Sequence, residues 1–183
     1  MLWSEPFDSL SVGERFRSGD RTVRDTDVIV FSALTGDWHP LHCDPEWAAN
    51  GPFGERIAHG MLIVSLAIGL LPLDPERVIA LRRVSDVVFK RPVRLNETVH
   101  VAGELTGLSP VGEHAGLVDF AWQIRNQDEA LVVRAAVQLL WSRGSGPSAE
   151  ASEAELDRVV RLAEWQEPIA GGTRPGEFVP LPL

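Results

Sequence analysis

Two short windows hold most of the side chains that could do chemistry. The first is Thr35-Gly36-Asp37-Trp38-His39-Pro40-Leu41-His42-Cys43-Asp44-Pro45, and the second is Arg56-Ile57-Ala58-His59-Gly60-Met61. Taken singly, each residue suits a structural loop, with Asp37 capping a turn and the prolines fixing the path. Density argues for more. A carboxylate and three histidines gather at the entry to the most apolar stretch of the chain, as they would around a closed site on a core. Three chemistries compete with the structural loop. His39, His42, His59, Asp37 and Asp44 are all metal-ligand types, but His39 and His42 flank Pro40 on a loop and lack the i, i+4 helical spacing, so no metal is expected. A Cys43 thiolate would need a histidine beside it, and neighbours in an extended segment face opposite sides, which disfavours His42. An acid–base pair of Asp37 and His42, facing one pocket across the turn at Pro40, could take a proton from water and deliver one elsewhere, as hydration of a conjugated double bond requires. Gly60 would then offer a backbone N–H at the positive end of a helix to charge developing on a carbonyl, with no side chain to block the approach.

These residues need elements to position them. Arg15 to Val23 alternates as a strand, and Asp25-Thr26-Asp27 starts a short helix that ends near Thr35-Gly36. From Gly36 to His59 the chain is turn-rich, with one short helix over Pro45 to Asn50 capped by Asp44. Met61 to Leu71, stopped by Pro72, is apolar on every side and predicts a helix wrapped by other structure. Strand-like runs follow at Val78 to Val93, Thr98 to Gly107, Leu117 to Asn126 and Ala130 to Ser142, separated by hairpin-type turns. One apolar helix followed by a long antiparallel meander implies an α+β fold with the sheet wrapped on the helix. Composition changes at Gly144-Ser145-Gly146-Pro147-Ser148. Beyond that linker, Ser152 and Glu155 form a capping box ahead of an amphipathic helix, and a Pro/Gly-rich tail follows. The expected division is a domain over 1–143 and an extension over 144–183.

Composition limits the partners. Hydrophobic residues make up 44% of the 183, enough for a core, and the net charge is −9, which disfavours nucleic acid. Cys43 is the single cysteine, so no intrachain disulfide is expected. The apolar run Met61 to Leu71 is too short for a membrane span, which needs about 20 residues, and the N-terminus does not read as a signal peptide. The expected setting is the cytoplasm, without membrane contact.

At the two windows the sequence resembles the MaoC-like (R)-specific enoyl-CoA hydratases. That family carries Gly-Asp-x-Asn-Pro-x-His-x-Asp, then an Ala-rich helix, then Ile-Ala-His-Gly-Met opening a central helix. The counterparts are Gly36 to Asp44, Trp47-Ala48-Ala49 and Ile57 to Met61, and Val88 to Val93 resembles the strand that follows the helix. The resemblance runs from about Val12 to Ser142. It implies a hot-dog fold, a homodimer, and syn hydration of a trans-2-enoyl thioester on coenzyme A or acyl carrier protein, without cofactor. It places the catalytic roles on Asp37, which would activate water, on His42, which would exchange a proton at the α-carbon unless the two roles are swapped, and on the Gly60 amide. The expected substrate-side residues are His39, His59, Met61, Lys90, Arg91 and Arg94. His39 stands where the family usually has Asn and is expected to hold the loop by hydrogen bonding. The basic run Arg82, Arg83, Lys90, Arg91 and Arg94 reads either as a grip for the carrier's phosphates or as solvated strand-edge charge. A hot-dog thioesterase and a non-catalytic acyl-binding subunit are the alternatives.

Overall fold

The computed structural model describes residues 3–144. The linker, the Ser152–Glu155 capping box, the amphipathic helix and the tail expected from the sequence lie outside the described residues.

The order of elements is a single 3-10 turn (Phe7–Ser9), strands β1 (Arg15–Arg17) and β2 (Arg21–Thr22), helices α1 (Asp25–Thr35), α2 (Pro40–Cys43), α3 (Pro45–Ala49) and α4 (Gly60–Gly69), then strands β3 (Val78–Phe89), β4 (Thr98–Pro110), β5 (Ala115–Asn126) and β6 (Leu131–Ser142). The strands form one antiparallel sheet in the order β1-β4-β5-β6-β3, with β2 also beside β4. Strand alternation makes one face apolar. Val118, Phe120, Trp122 and Ile124 of β5 meet Val133, Val137, Leu139 and Trp141 of β6, and all pack in one core with Leu62, Ile63, Val64 and Ala67 of α4. Each such side chain contributes about 1.5–3 kcal/mol on burial, so the apolar helix seated in the sheet is what holds this hot-dog fold together. Among the described residues no helix is long and apolar enough to cross a membrane.

Four local expectations change. The run Arg15 to Val23 is broken into β1 and β2 at Ser18, whose Oγ accepts from the Val101 N–H and so replaces a ladder bond. The turn-rich stretch contains an extra single-turn helix, α2, because Pro40 occupies its first position and His39 caps it. The third strand stops at Phe89, and β3 does not form a hairpin with β4. It lies at the far edge beside β6, so residues 90–97 cross the sheet. Finally, α4 is not wrapped on all sides. Met61 (54% exposed), Ser65 and Gly69 form an open stripe at i, i+4, i+8.

The site loop depends on a cap. Asp44 Oδ1 accepts from the backbone N–H groups of Glu46 and Trp47, which starts α3 directly after α2. Asp44→Ala should lower unfolding stability by about 1 kcal/mol. This would be read as a lower urea midpoint at unchanged slope, and an unshifted midpoint would show that the cap is dispensable.

Candidate active site

Helix α1 ends at Gly36, whose left-handed backbone (φ 79°) returns its N–H to the Ser32 carbonyl and turns the chain toward Asp37. The Asp37 side chain is half-exposed, and its Oδ1 accepts from the His39 N–H at 3.3 Å. His39 then caps α2, its Nδ1 accepting from the Leu41 N–H at 3.1 Å, while its ring meets Trp47 edge-on. This is the loop-holding bond expected of a residue standing in for Asn.

His42 lies on α2 and is held from below. Its Nδ1 is 2.7 Å from the Ile57 carbonyl. A carbonyl can only accept, so Nδ1 carries the hydrogen and Nε2 keeps a lone pair. Ile57 is itself fixed on both sides, donating its N–H to the Leu41 carbonyl and bridging Arg94, while Ala58 donates to the Val93 carbonyl at 2.8 Å. Burial is the largest influence on the His42 pKa and lowers it. The Ile57 carbonyl and the Asp37 charge oppose this, and neighbouring His59 and His39 add to it. The net direction is down, which leaves His42 a neutral imidazole at pH 7.

His59 occupies the N-cap position of α4, without a side-chain cap bond, and is buried. Its ring stacks on that of His42 with centroids 3.8 Å apart, and its Nε2 lies 3.1 Å from the Asp37 carbonyl and 3.3 Å from Ser32 Oγ. Gly60 follows as the first residue of α4, where the leading amides have no intrahelical acceptor. A Cβ on Gly60 would stand 2.6 Å from the Phe89 ring, so the missing side chain serves the packing of Phe89 over the helix start.

Asp37, His42, His59, Gly60 and Met61 share one cavity of about 500 Å³, with Phe31, Phe53, Ile63, Phe89, Val132 and Val133 as apolar walls and Lys90 and Arg91 at its charged side. His39 and Arg94 do not line it. Arg94 pairs with Glu55 at 2.7 Å, and Arg82 bonds Gln138 on the sheet. Cys43 has Ser32 as its partner, with Sγ and Oγ 3.2 Å apart. Donor atoms of Asp37, His42 and His59 lie within 4.8 Å of one another, the spacing of a metal-ligand cluster. His59 Nε2, however, is engaged by the Asp37 carbonyl, so that nitrogen is not free for a metal. The apolar walls Val132, Val133 and Phe89, and Ser32 behind the site, escaped the sequence reading because only sheet pairing and helix packing bring them there.

The arrangement can hold a carbonyl at a helix start, beside a neutral imidazole and a carboxylate, in an apolar cavity. The family model of the MaoC like domain matches residues 9–119. The (R)-specific enoyl-CoA hydratase of Aeromonas caviae is 34% identical over 125 residues, which cover 68% of this chain and 90% of that protein. The 3-hydroxybutyryl-CoA dehydratase of Methylorubrum extorquens is 33% identical over 100 residues, 53% of this chain and 62% of that one. The solved structure of a monoamine oxidase regulatory protein from Archaeoglobus fulgidus superposes with a TM-score of 0.72 at 34% identity, covering 79% of this chain and 99% of that one. On this coverage and identity, the chain belongs to the MaoC-like hydratase/dehydratase family.

Proposed function

We propose that the protein is a hydro-lyase that interconverts trans-2-enoyl and 3-hydroxyacyl thioesters carried on coenzyme A or a carrier protein. The acid–base pair is Asp37 and His42, and the Gly60 amide binds the thioester carbonyl. The observation that carries this reading is the 2.7 Å bond from His42 Nδ1 to the Ile57 carbonyl, which leaves a lone pair on Nε2 of a ring that shares the cavity with Asp37 and Gly60.

In the hydration direction, His42 Nε2 takes a proton from water as the water oxygen bonds to C3 of the enoyl group. The C2–C3 π electrons shift toward the carbonyl, and the resulting enolate oxygen is held by the Gly60 N–H at the positive end of α4. The imidazolium then returns the proton to C2, regenerating neutral His42. Asp37 orients the water by accepting a hydrogen bond from its second O–H, which stays on the product hydroxyl, and stabilises the imidazolium. A single proton carrier on one side of the substrate gives syn addition. Water activation by His42 is the swapped order of roles, and the neutral, lone-pair-bearing ring is what favours it over activation by Asp37. Lys90 and Arg91 take the anionic part of the carrier, since both line the cavity, whereas Arg94 is already paired with Glu55.

We also assign a homodimer. The outer edge of β3 is unpaired among the described strands, and the open α4 stripe lies beside the cavity through Met61. The domain is assigned to 1–143, with 144–183 as an appended extension.

His42→Ala and Asp37→Ala should each lower kcat by about 10²–10⁴-fold, read as loss of the enoyl thioester ultraviolet absorbance across a panel of acyl groups. Full activity in both variants, or release of free thiol by the wild type, would overturn the assignment.

The pH dependence has a definite sign. Neutral His42 is the active form, so kcat/KM should rise with pH along an acid limb centred below the ordinary histidine value of about 6.5. Asp37→Asn removes a charge that raises the His42 pKa, so the residual activity should show that limb at still lower pH. Activity that falls as pH rises through the limb would make the imidazolium the active form.

Size measurement in dilute solution should give twice the chain mass or a multiple of it. A fully active single chain would refute the dimer.

A further inference from the structure

We infer that His59 is a positioning residue that locks Asp37 and His42 into one unit, holding the Asp37 backbone through Nε2 and the His42 ring through its face, and that it is not a substrate contact. The inference builds on the acid–base roles proposed above.

Neither ring nitrogen of His59 is open to a ligand. The side chain is 3% exposed. Its Nε2 hydrogen points at the Asp37 carbonyl, 3.1 Å away, with Ser32 Oγ at 3.3 Å. Its Nδ1 is enclosed and has no hydrogen-bond partner among the described residues. An enclosed nitrogen without a partner is costly and rare, so the ring is held there by what its other atoms do. Both faces are in use, with His42 stacked at 3.8 Å between centroids and Phe31 tilted at 5.1 Å. Ser32, fully buried on α1, reaches Cys43 Sγ at 3.2 Å as well as His59. One imidazole therefore ties the end of α1, the turn of α2 and the start of α4 at the point where Asp37, His42 and Gly60 must keep register.

The clamp also acts electrostatically. The groups that face His42 are His59 from the start of α4, Asp37 from the loop after α1, His39 from the start of α2 and the Ile57 carbonyl, with Lys90 and Arg91 across the cavity. His59 is among those that lower the His42 pKa.

Two substitutions separate the parts of the clamp. His59→Phe keeps an aromatic face against His42 and loses the bond to Asp37. His59→Gln places an amide nitrogen near the position of Nε2 and loses the stack. We expect His59→Phe to lower kcat by about 10²-fold, because misplacement at a catalytic pair carries that weight, with KM changed less than about threefold. His59→Gln should recover at least about tenfold of the loss, because the bond that fixes Asp37 returns. Adding His59→Phe to His42→Ala should cost little more, since residues that act as one unit are not additive. Nuclear magnetic resonance titration of the His42 ring, without substrate, should show its pKa raised in both variants. That readout stands even if no enoyl thioester is turned over, so failure of the hydratase reading and failure of the clamp are told apart. If His59→Phe does not fold, His59→Gln and Ser32→Ala carry the test by the same titration and by kcat. A rise in KM at unchanged kcat would make His59 a substrate contact. Wild-type kcat together with an unmoved His42 titration would remove the clamp.

Discussion

The site rests on the hydrogen bond from His42 Nδ1 to the Ile57 carbonyl. It fixes which nitrogen of His42 bears the proton and where the other points, and it is only as good as the placement of Ile57. That placement is made by long-range structure. Ala58 donates to Val93, Lys90 donates to Val132 at the start of β6, and the crossing segment 90–97 is thereby sewn to the sheet on one side and to the site on the other. The core that seats α4 in the sheet then fixes His59 and Gly60, because both stand at the helix's first turn. A shift of the helix along the sheet would move the Gly60 amide relative to His42. The apolar core and the polar site are one mechanical object.

Burial lowers the His42 pKa, opposed first by the Ile57 carbonyl and more weakly by the Asp37 charge. The ring is only partly buried, yet burial is still the largest influence on it, and an ion pair with a half-exposed carboxylate is worth only about 0–1 kcal/mol. Asp37 is 52% exposed on its side chain, so its attraction is screened and burial prevails. The balance suits a proton carrier that must be neutral at rest and charged in passing. In the proposed mechanism, Asp37 would support the charged form during turnover without making it the resting state.

How much of this was legible in the sequence follows from how local each cause is. The ends of α1 and the cap of α3 were readable because Gly36 and Asp44 act on their immediate neighbours. The grouping of Asp37, His42 and Gly60 was readable because residue types at the mouth of an apolar helix are informative, and the family resemblance gave them roles. Helix α2 was hidden, since a four-residue turn containing Pro40 looks like a loop until His39 is seen to cap it. The place of β3 was hidden too, because a strand's alternation says which face is buried and nothing about its neighbour. At His59 the motif position is visible in the sequence, but its partners Ser32 and Asp37 lie 27 and 22 residues away along the chain. At Gly60 the structure adds a packing reason for the missing side chain that the sequence could not show, since the ring beside it comes from the end of β3.

The remaining constraint is water. An enolate is stabilised by a fixed backbone dipole only where solvent does not compete, and a dipole aimed at a developing charge loses most of its advantage in a wet cleft. The single chain leaves the cavity open on the side of Met61 and of Phe89, which is 49% exposed. Phe89 is also the last residue of β3, the strand with the unpaired edge. Phe89 thus belongs both to the cavity wall and to the strand with the unpaired edge. In the proposed dimer a second copy on that side would pair the edge and cover the apolar wall in the same step. In that dimer, assembly would be a condition for the proposed chemistry, because the closure that excludes water would come from the partner's surface.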